Sequence, residues 1–425
     1  MTGSDARGNA ATIDGPGAGS ARSFTVARVP RLVVGPGRVA DVPAIVADFG
    51  RRALLVTGSR SFRDGPAWAA LTRGLDEAAV SWQHLAVGGE PSPGLVDAAV
   101  DTHRAEPPDV VVGIGGGSAL DAAKAIAGLL RSGTTALDHL EGVGRGLAYP
   151  GPATPFVAVP TTAGTGSEVT KNAVLSGRLP GAGTGASPFK KSFRDERLVA
   201  QVAVLDPDLL AGCPPDVIAG DGMDAVTQLL EAFTSTGASP FTDAVARAGL
   251  EVVGALPRWF AAATGGKPTA ASAAERAAMS WAACCSGIAL ANAGLGAVHG
   301  IVAALGARYP VPHGMGCGIL LAATTRANLA ALAGRSPEVP AFRRYADAGR
   351  ILAGDPALGD AEAREALVAT LDAWTVGLRV PRLAAFGAVP GDIPALVVES
   401  RGSSMRTNPI VLDDEEVAGV LAACL

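Results

Sequence analysis

The chain has 425 residues, of which 48% are apolar, 4% aromatic and 18% charged, with a formal net charge of −5. That length suits about two domains of roughly 100–200 residues each, with a core built mostly from Ala, Val and Leu. No basic cluster exists beyond Lys190, Lys191, Arg194 and Arg197, so the charge balance argues against nucleic acid or an anionic membrane surface and for a small-molecule partner.

Residues 1–23 are rich in Gly, Ala, Ser and Asp and lack a basic-then-apolar pattern; they read as a disordered tail, not a signal peptide. From Phe24 to about residue 210, short β-branched runs alternate with helical patterns. The runs are Arg31–Val34, Ala53–Thr57, Asp109–Val112, Pro155–Val159 and Gln201–Leu205. Such alternation predicts an α/β domain with a largely parallel sheet, and near-continuous apolar runs suit strands buried on both faces. The glycine-dense stretch 179–187 reads as a mobile surface loop. From Pro214 the strand signal vanishes. Helices are expected over roughly 215–235, 240–262, 269–306, 316–333, 340–353, 359–376, 391–401 and 413–424, giving an all-helical half over 211–425. Ala-rich stretches near 282–306 are interrupted by Asn292, His299 and glycines, which argues against a transmembrane span. The five cysteines, Cys213, Cys284, Cys285, Cys317 and Cys424, show no C-x-x-C spacing. Their odd number fits a reducing cytoplasm better than a disulfide framework.

Three segments carry chemistry. Gly113-Ile-Gly-Gly-Gly-Ser-Ala-Leu-Asp-Ala-Ala-Lys124 follows an apolar strand and opens a helix. Glycines let the backbone approach a phosphate, and the helix start supplies free N–H donors and a positive dipole end. The run matches neither G-x-G-x-x-G nor G-x-x-x-x-G-K-[ST], and a plain glycine turn is the alternative. The second segment, Pro160-Thr-Thr-Ala-Gly-Thr-Gly-Ser-Glu-Val-Thr170, places hydroxyls at the carboxyl end of a strand, where they suit another part of the same ligand. A turn satisfying its own backbone is the bland reading. In the third, Asp224 and Gln228 share a face of the helix near 221–235; with His299 and His313 they make a reasonable set for a divalent transition metal. Spacing alone equally allows histidines that merely fill a core.

With these segments in order, the chain resembles the iron-containing (group III) alcohol dehydrogenases, which are related in fold to dehydroquinate synthase. The resemblance runs from about Phe24 to the end, including Ser404-Met-Arg-Thr-Asn-Pro409. It implies an N-terminal α/β nucleotide-binding domain over 24–210, a C-terminal helical metal and substrate domain over 211–425, and hydride transfer in the cleft between them. Gly115, Gly116, Gly117, Ser118 and Asp121 resemble the pyrophosphate loop of that family, and Thr161, Thr162 and Thr165 its second cofactor turn. Asp224, the Gln228 position, His299 and His313 match its metal ligands, with iron the namesake and zinc a known substitute. A homodimer or larger homo-oligomer is implied as well.

Three departures stand out. Gln228 occupies a position where most members carry a third histidine, and a neutral amide should lower metal affinity. Ala303 replaces a histidine that many members use to relay a proton, so no residue is assigned as the catalytic acid or base. Val56-Thr-Gly-Ser-Arg60 lacks the Asp that many NAD-using members place at the end of the first nucleotide-domain strand. Without that carboxylate a 2′-phosphate is not repelled, and Ser59 or Arg60 is placed to bind it. The reading leans to NADP(H) over NAD(H), with Arg60 as a solvated surface charge the alternative. Lys171, Lys190 and Arg194 are candidates for cofactor phosphates or an acidic substrate group, with a solvated surface as the alternative.

The leading function is a cytoplasmic, metal-assisted, NAD(P)-dependent oxidoreductase interconverting a small alcohol and its aldehyde or ketone. Gln228 and Ala303 make a metal-independent enzyme resembling maleylacetate reductase the runner-up. A dehydroquinate synthase-like lyase is disfavoured, because the helical half has only two histidines and little charge in the segments expected to line the cleft for a highly polar anionic substrate. A nucleotide-binding protein without turnover completes the set.

Overall fold

The computed structural model describes residues 23–178, 188–265 and 272–425. Residues 1–22 of the tail expected over 1–23, and the glycine-dense loop 179–187, lie outside the described residues. In the first half, β1 (Arg31–Val34), α1 (Val42–Ala47), β2 (Arg52–Gly58), α2 (Pro66–Glu77), β3 (Ser81–Val87), α3 (Pro93–His103), β4 (Val110–Gly115), α4 (Gly117–Leu129), α5 (Ala136–His139) and β5 (Phe156–Pro160) follow in order. A hairpin of β6 (Asn172–Arg178) and β7 (Pro188–Arg194) precedes β8 (Val202–Leu205).

Six strands form a parallel sheet in the order β1-β8-β5-β4-β2-β3, as the alternating pattern predicts. All residues of β4 and β5 are buried. Leu54 and Val56 of β2 pack with Leu120 and Ile126 of α4 on one face, whereas Leu55 packs with Leu71 and Leu75 of α2 on the other. The helices after β2 and β4 therefore leave on opposite sides. Between those strand ends lies the topological switch point, the place where doubly wound sheets take their ligands.

β3 and the antiparallel hairpin β6–β7 are additions to the predicted elements. β3 is an edge strand of mixed exposure, so Ser81, Gln83 and His84 break the apolar run that marks its neighbours. The hairpin carries Lys190, Lys191 and Arg194, and its polar composition hides it in the same way.

The second half comprises α6 (Pro215–Thr234), α7 (Pro240–Val252), α8 (Leu256–Thr264), α9 (Ala273–Ala293), α10 (Ala297–Arg308), α11 (His313–Arg335), α12 (Pro340–Ala353), α13 (Asp360–Gly377), α14 (Ile393–Glu399) and α15 (Asp414–Cys424). Most of α6 is buried, which makes it the axis of this half. Two predicted helices are each a pair. The stretch 240–262 breaks at a 3₁₀ turn over Val253–Ala255. The stretch 269–306 bends by 99° between α9 and α10. Gly294 adopts φ +76°, and a Cβ on Gly296 would lie 2.9 Å from Glu231 Oε1, so glycine is required for the bend and for the close approach to α6. Among the described residues α11 is long and apolar enough to cross a membrane, yet 67% of its apolar window is buried inside the protein. It acts as a core helix.

Candidate active site

Register places Gly115 beside Pro160, and Thr161 N donates to Gly115 O at 3.0 Å, so the two polar turns leave the sheet side by side. A Cβ on Gly117 would stand 2.7 Å from Thr165 Cγ2, and one on Gly116 would stand 3.2 Å from Thr162 Cγ2. The glycine backbone of the first turn packs on the threonine side chains of the second because both positions lack side chains. Gly116, Gly117, Ser118, Thr162 and Thr165 are half-buried, and the free N–H groups at the start of the 13-residue α4 open into the same crevice. Gly58 closes its third side: a Cβ on Gly115 would lie 3.3 Å from Gly58 N. Ser59 and Arg60 follow it, both exposed.

Asp121 faces inward. Its Oδ1 accepts from Ser167 Oγ at 2.6 Å and its Oδ2 from Val174 N at 3.1 Å, so its carboxylate fixes the second turn and the hairpin to α4. Lys124, missed as a site residue, does the same with greater force. Its Nζ shares its three protons among four acceptors, Ser167 O at 2.8 Å, Ser167 Oγ at 2.9 Å, Thr170 Oγ1 at 3.2 Å and Asn172 O at 2.6 Å. Burial holds its pKa down to about 8, against the pull of Asp121 and Glu168. Lys190 is tied to Glu90, Lys171 to Glu196 at 2.5 Å and Arg194 to Glu141 at 3.4 Å. All three cationic candidates thus have carboxylate partners within the protein.

Contacts lead directly from the second turn to α6. Thr162 bonds the carboxyl of Asp221, whose pKa burial raises to about 6, and a Cβ on Gly164 would lie 2.5 Å from Asp221 Cβ. One turn further along α6, Asp224 Oδ1 stands 3.3 Å from His299 Nε2 and 3.9 Å from His313 Nε2. Cys317, missed from the sequence, adds its Sγ at 3.5 Å from Asp224 Oδ1 and 3.8 Å from His299 Nε2. The four donor atoms lie within 4.8 Å of one another. Gln228, one turn beyond Asp224 on α6, is buried, and its Oε1 accepts from Ser286 Oγ at 2.7 Å.

Glu231, also missed, orients the cluster. Its Oε2 lies 2.6 Å from His299 Nδ1, and its Oε1 accepts from Val298 N at 2.7 Å, the carboxylate–histidine pairing common behind metal ligands. Burial pushes the Asp224 carboxyl up, but the His299 hydrogen bond and the two imidazoles outweigh it and hold its pKa low. Burial opposes charge on His299, yet Cys317, Glu231 and Asp224 raise its pKa well above the usual range. His313 has its pKa lowered to about 4, chiefly by desolvation although the ring is only half-buried, with the neighbouring His299 and Lys190 adding to the effect. About 35% of its side chain is exposed, making it the member of the cluster that reaches the crevice. One carboxylate, two imidazoles and a thiol form a donor set that fits a first-row divalent ion.

The parallel sheet with its glycine turn, joined to a helical half that carries a compact metal-type cluster, defines a class of two-domain enzymes that set a nucleotide site beside a divalent-ion site. The chain belongs to the iron-containing alcohol dehydrogenase family: the family model for iron-containing alcohol dehydrogenase matches residues 30–207, and that for the C-terminal part of the Fe-containing alcohol dehydrogenase family matches 218–425. It is 30% identical to the probable alcohol dehydrogenase EutG of Escherichia coli (strain K12), over 93% of each chain. It is also 30% identical to the NAD-dependent methanol dehydrogenase of Bacillus methanolicus, over 93% of this chain and 98% of that one. The solved structure of a 1,3-propanediol oxidoreductase superposes with a TM-score of 0.82 at 28% identity, covering 95% of this chain and 100% of the other.

Proposed function

We propose that the protein transfers hydride between a nicotinamide cofactor and a small alcohol or its aldehyde or ketone, assisted by a divalent metal, iron or zinc, held by Asp224, His299 and His313. The observation that carries this is the convergence of those donors one helical turn from Asp221, itself bonded to the second cofactor turn. Residues 24–210 act as the cofactor domain and 211–425 as the metal and substrate domain.

The cofactor pyrophosphate lies against the α4 N-terminus, where Gly116, Gly117 and Ser118 offer backbone N–H groups and Thr161, Thr162 and Thr165 border the same crevice. Asp121 and Lys124 hold the second turn in place. When bound, the metal supplies Lewis-acid polarisation of the substrate oxygen. Glu231 fixes the ring of His299, and exposed His313 faces the incoming substrate. Ala303 is exposed on α10, so solvent takes the place of a histidine relay and carries the proton to or from the substrate oxygen. At the adenosine end, the absence of a carboxylate over residues 56–60 supports NADP(H) alongside NAD(H), with Ser59 and Arg60 nearest a 2′-phosphate. Lys190, which acts electrostatically on His313, meets a cofactor phosphate or an acidic substrate group only if it leaves Glu90. The free cysteines support a reducing cytoplasm, and a homodimer or larger assembly follows from the family likeness.

Oxidation of NADH and NADPH measured across short aldehydes tests the reading. Turnover is expected with at least one pair, and Asp224→Ala should lower kcat/KM by about 100-fold or more, given that a Lewis acid is worth several kcal/mol. Full activity in Asp224→Ala would overturn it.

A further inference from the structure

The resemblance implies a third histidine where this chain has Gln228, and the structure sets the Cys317 thiol among the remaining donors. Gln228 turns its oxygen to Ser286. From the opposite side of the cluster α11 supplies Cys317, one turn after His313 and therefore on the same helix face. A Cβ on Gly314 would lie 2.4 Å from Gly220 O, so α11 meets α6 backbone to backbone. That contact carries the sulfur to Asp224.

We propose that Cys317 is the fourth protein ligand of the metal, bound as a thiolate in place of the missing histidine. The inference rests on the metal-assisted reading above. Zinc-type bonds of about 2.0–2.3 Å set on a tetrahedron put neighbouring donors about 3.3–3.6 Å apart. Asp224 Oδ1 to His299 Nε2 is 3.3 Å and Cys317 Sγ to Asp224 Oδ1 is 3.5 Å, while Cys317 Sγ to His299 Nε2 at 3.8 Å and Asp224 Oδ1 to His313 Nε2 at 3.9 Å are a few tenths of an ångström wider, a set that closes on an ion with small side-chain shifts. The other cysteines have no such company: Cys213 donates to Thr161 O, Cys424 donates to Ile319 O, and Cys284 and Cys285 sit in apolar cores. Only Cys317 reaches a carboxylate and an imidazole.

On binding, the S–H bond breaks, a sulfur–metal bond forms and the proton leaves to solvent. Two anionic donors then neutralise a dication, where a carboxylate with three imidazoles leaves one positive charge. The consequence is a softer site that favours zinc or cobalt over harder ions, with the substrate oxygen entering as a fifth donor.

The test is to strip the full-length protein of metal, load it with cobalt(II) and record its near-ultraviolet spectrum beside the cobalt content. Wild type and Gln228→Ala are expected to bind one cobalt per chain and to show a thiolate-to-cobalt charge-transfer band. Cys317→Ser should lose the band and weaken cobalt binding about tenfold or more. Cobalt bound to wild type without the band, or a band that survives in Cys317→Ser, would overturn the assignment of Cys317 and leave the proposed function standing. Wild type that binds no cobalt would overturn both.

Discussion

Gly117 and Thr165 meet so closely that no side chain fits between them: a Cβ on the glycine would stand 2.7 Å from Thr165 Cγ2. Gly117→Val should force the two turns apart at a cost of about 1–3 kcal/mol. The cofactor Kd, followed by nicotinamide fluorescence, is expected to rise about tenfold or more, and an unchanged Kd would deny the turns their role. Gly58 presents the opposite situation, since a Cβ there would meet nothing within 4 Å. Gly58→Asp should therefore be accepted without strain while setting a carboxylate against a 2′-phosphate. The kcat/KM ratio of NADPH to NADH should fall by about tenfold, equivalent to about 1.4 kcal/mol; a ratio that stays level would place the adenosine end elsewhere.

Elements decide which residues can be read from sequence. Asp224 and His299 are legible because an acid and an imidazole stand out in apolar helices, and His313 because it stands out in the turn Val311-Pro-His-Gly314. Cys317 is not, because the predicted helix begins at residue 316, whereas α11 begins at His313 and so sets the two residues on one face. Glu231 is hidden by the α9–α10 bend, which an unbroken helix over 269–306 does not contain; only that bend turns Val298 N and His299 Nδ1 towards α6. Lys124 sits in plain view within the glycine motif, but its partners lie 43 to 48 residues away. Removing it in Lys124→Met leaves four oxygens without their donor and should cost about 3–5 kcal/mol. Its pKa, lowered from 10.5 to about 8, fixes the sign of the pH effect. Below about 8 the folded protein bears the full penalty of a buried charge; between about 8 and 10.5 the unfolded chain binds a proton that the folded one has released, so stability rises with pH. The gap in denaturation free energy between wild type and Lys124→Met should widen over that interval. A gap that narrows would contradict it.

At the scale of the molecule, the fold is legible because strand and helix periods alternate up to about residue 210 and then cease to alternate. The edge strand β3 and the hairpin escape because neither is buried on both faces, so neither has the continuous apolar run that identifies β4 and β5. The hydrophobic core of the helical half reaches across to Ala163 in the second turn, and a smaller cluster joins Val169, Ala203 and Leu205 to Cys284 and Ile288. A ligand in the crevice therefore stabilises both halves. Cofactor at about 100 times its Kd should add about 2.7 kcal/mol and raise Tm by a few degrees, as read by calorimetry. Absence of any shift would mean that the crevice does not hold it.

Activity before and after removal of metal bears on the cluster of Asp224, His299, His313 and Cys317 more directly than any substitution. Protein dialysed against a strong chelator should lose aldehyde reduction while still binding NAD(P)H, and one equivalent of zinc or iron(II) should restore turnover. Full turnover in protein shown by elemental analysis to be metal-free would contradict the role given to those four side chains.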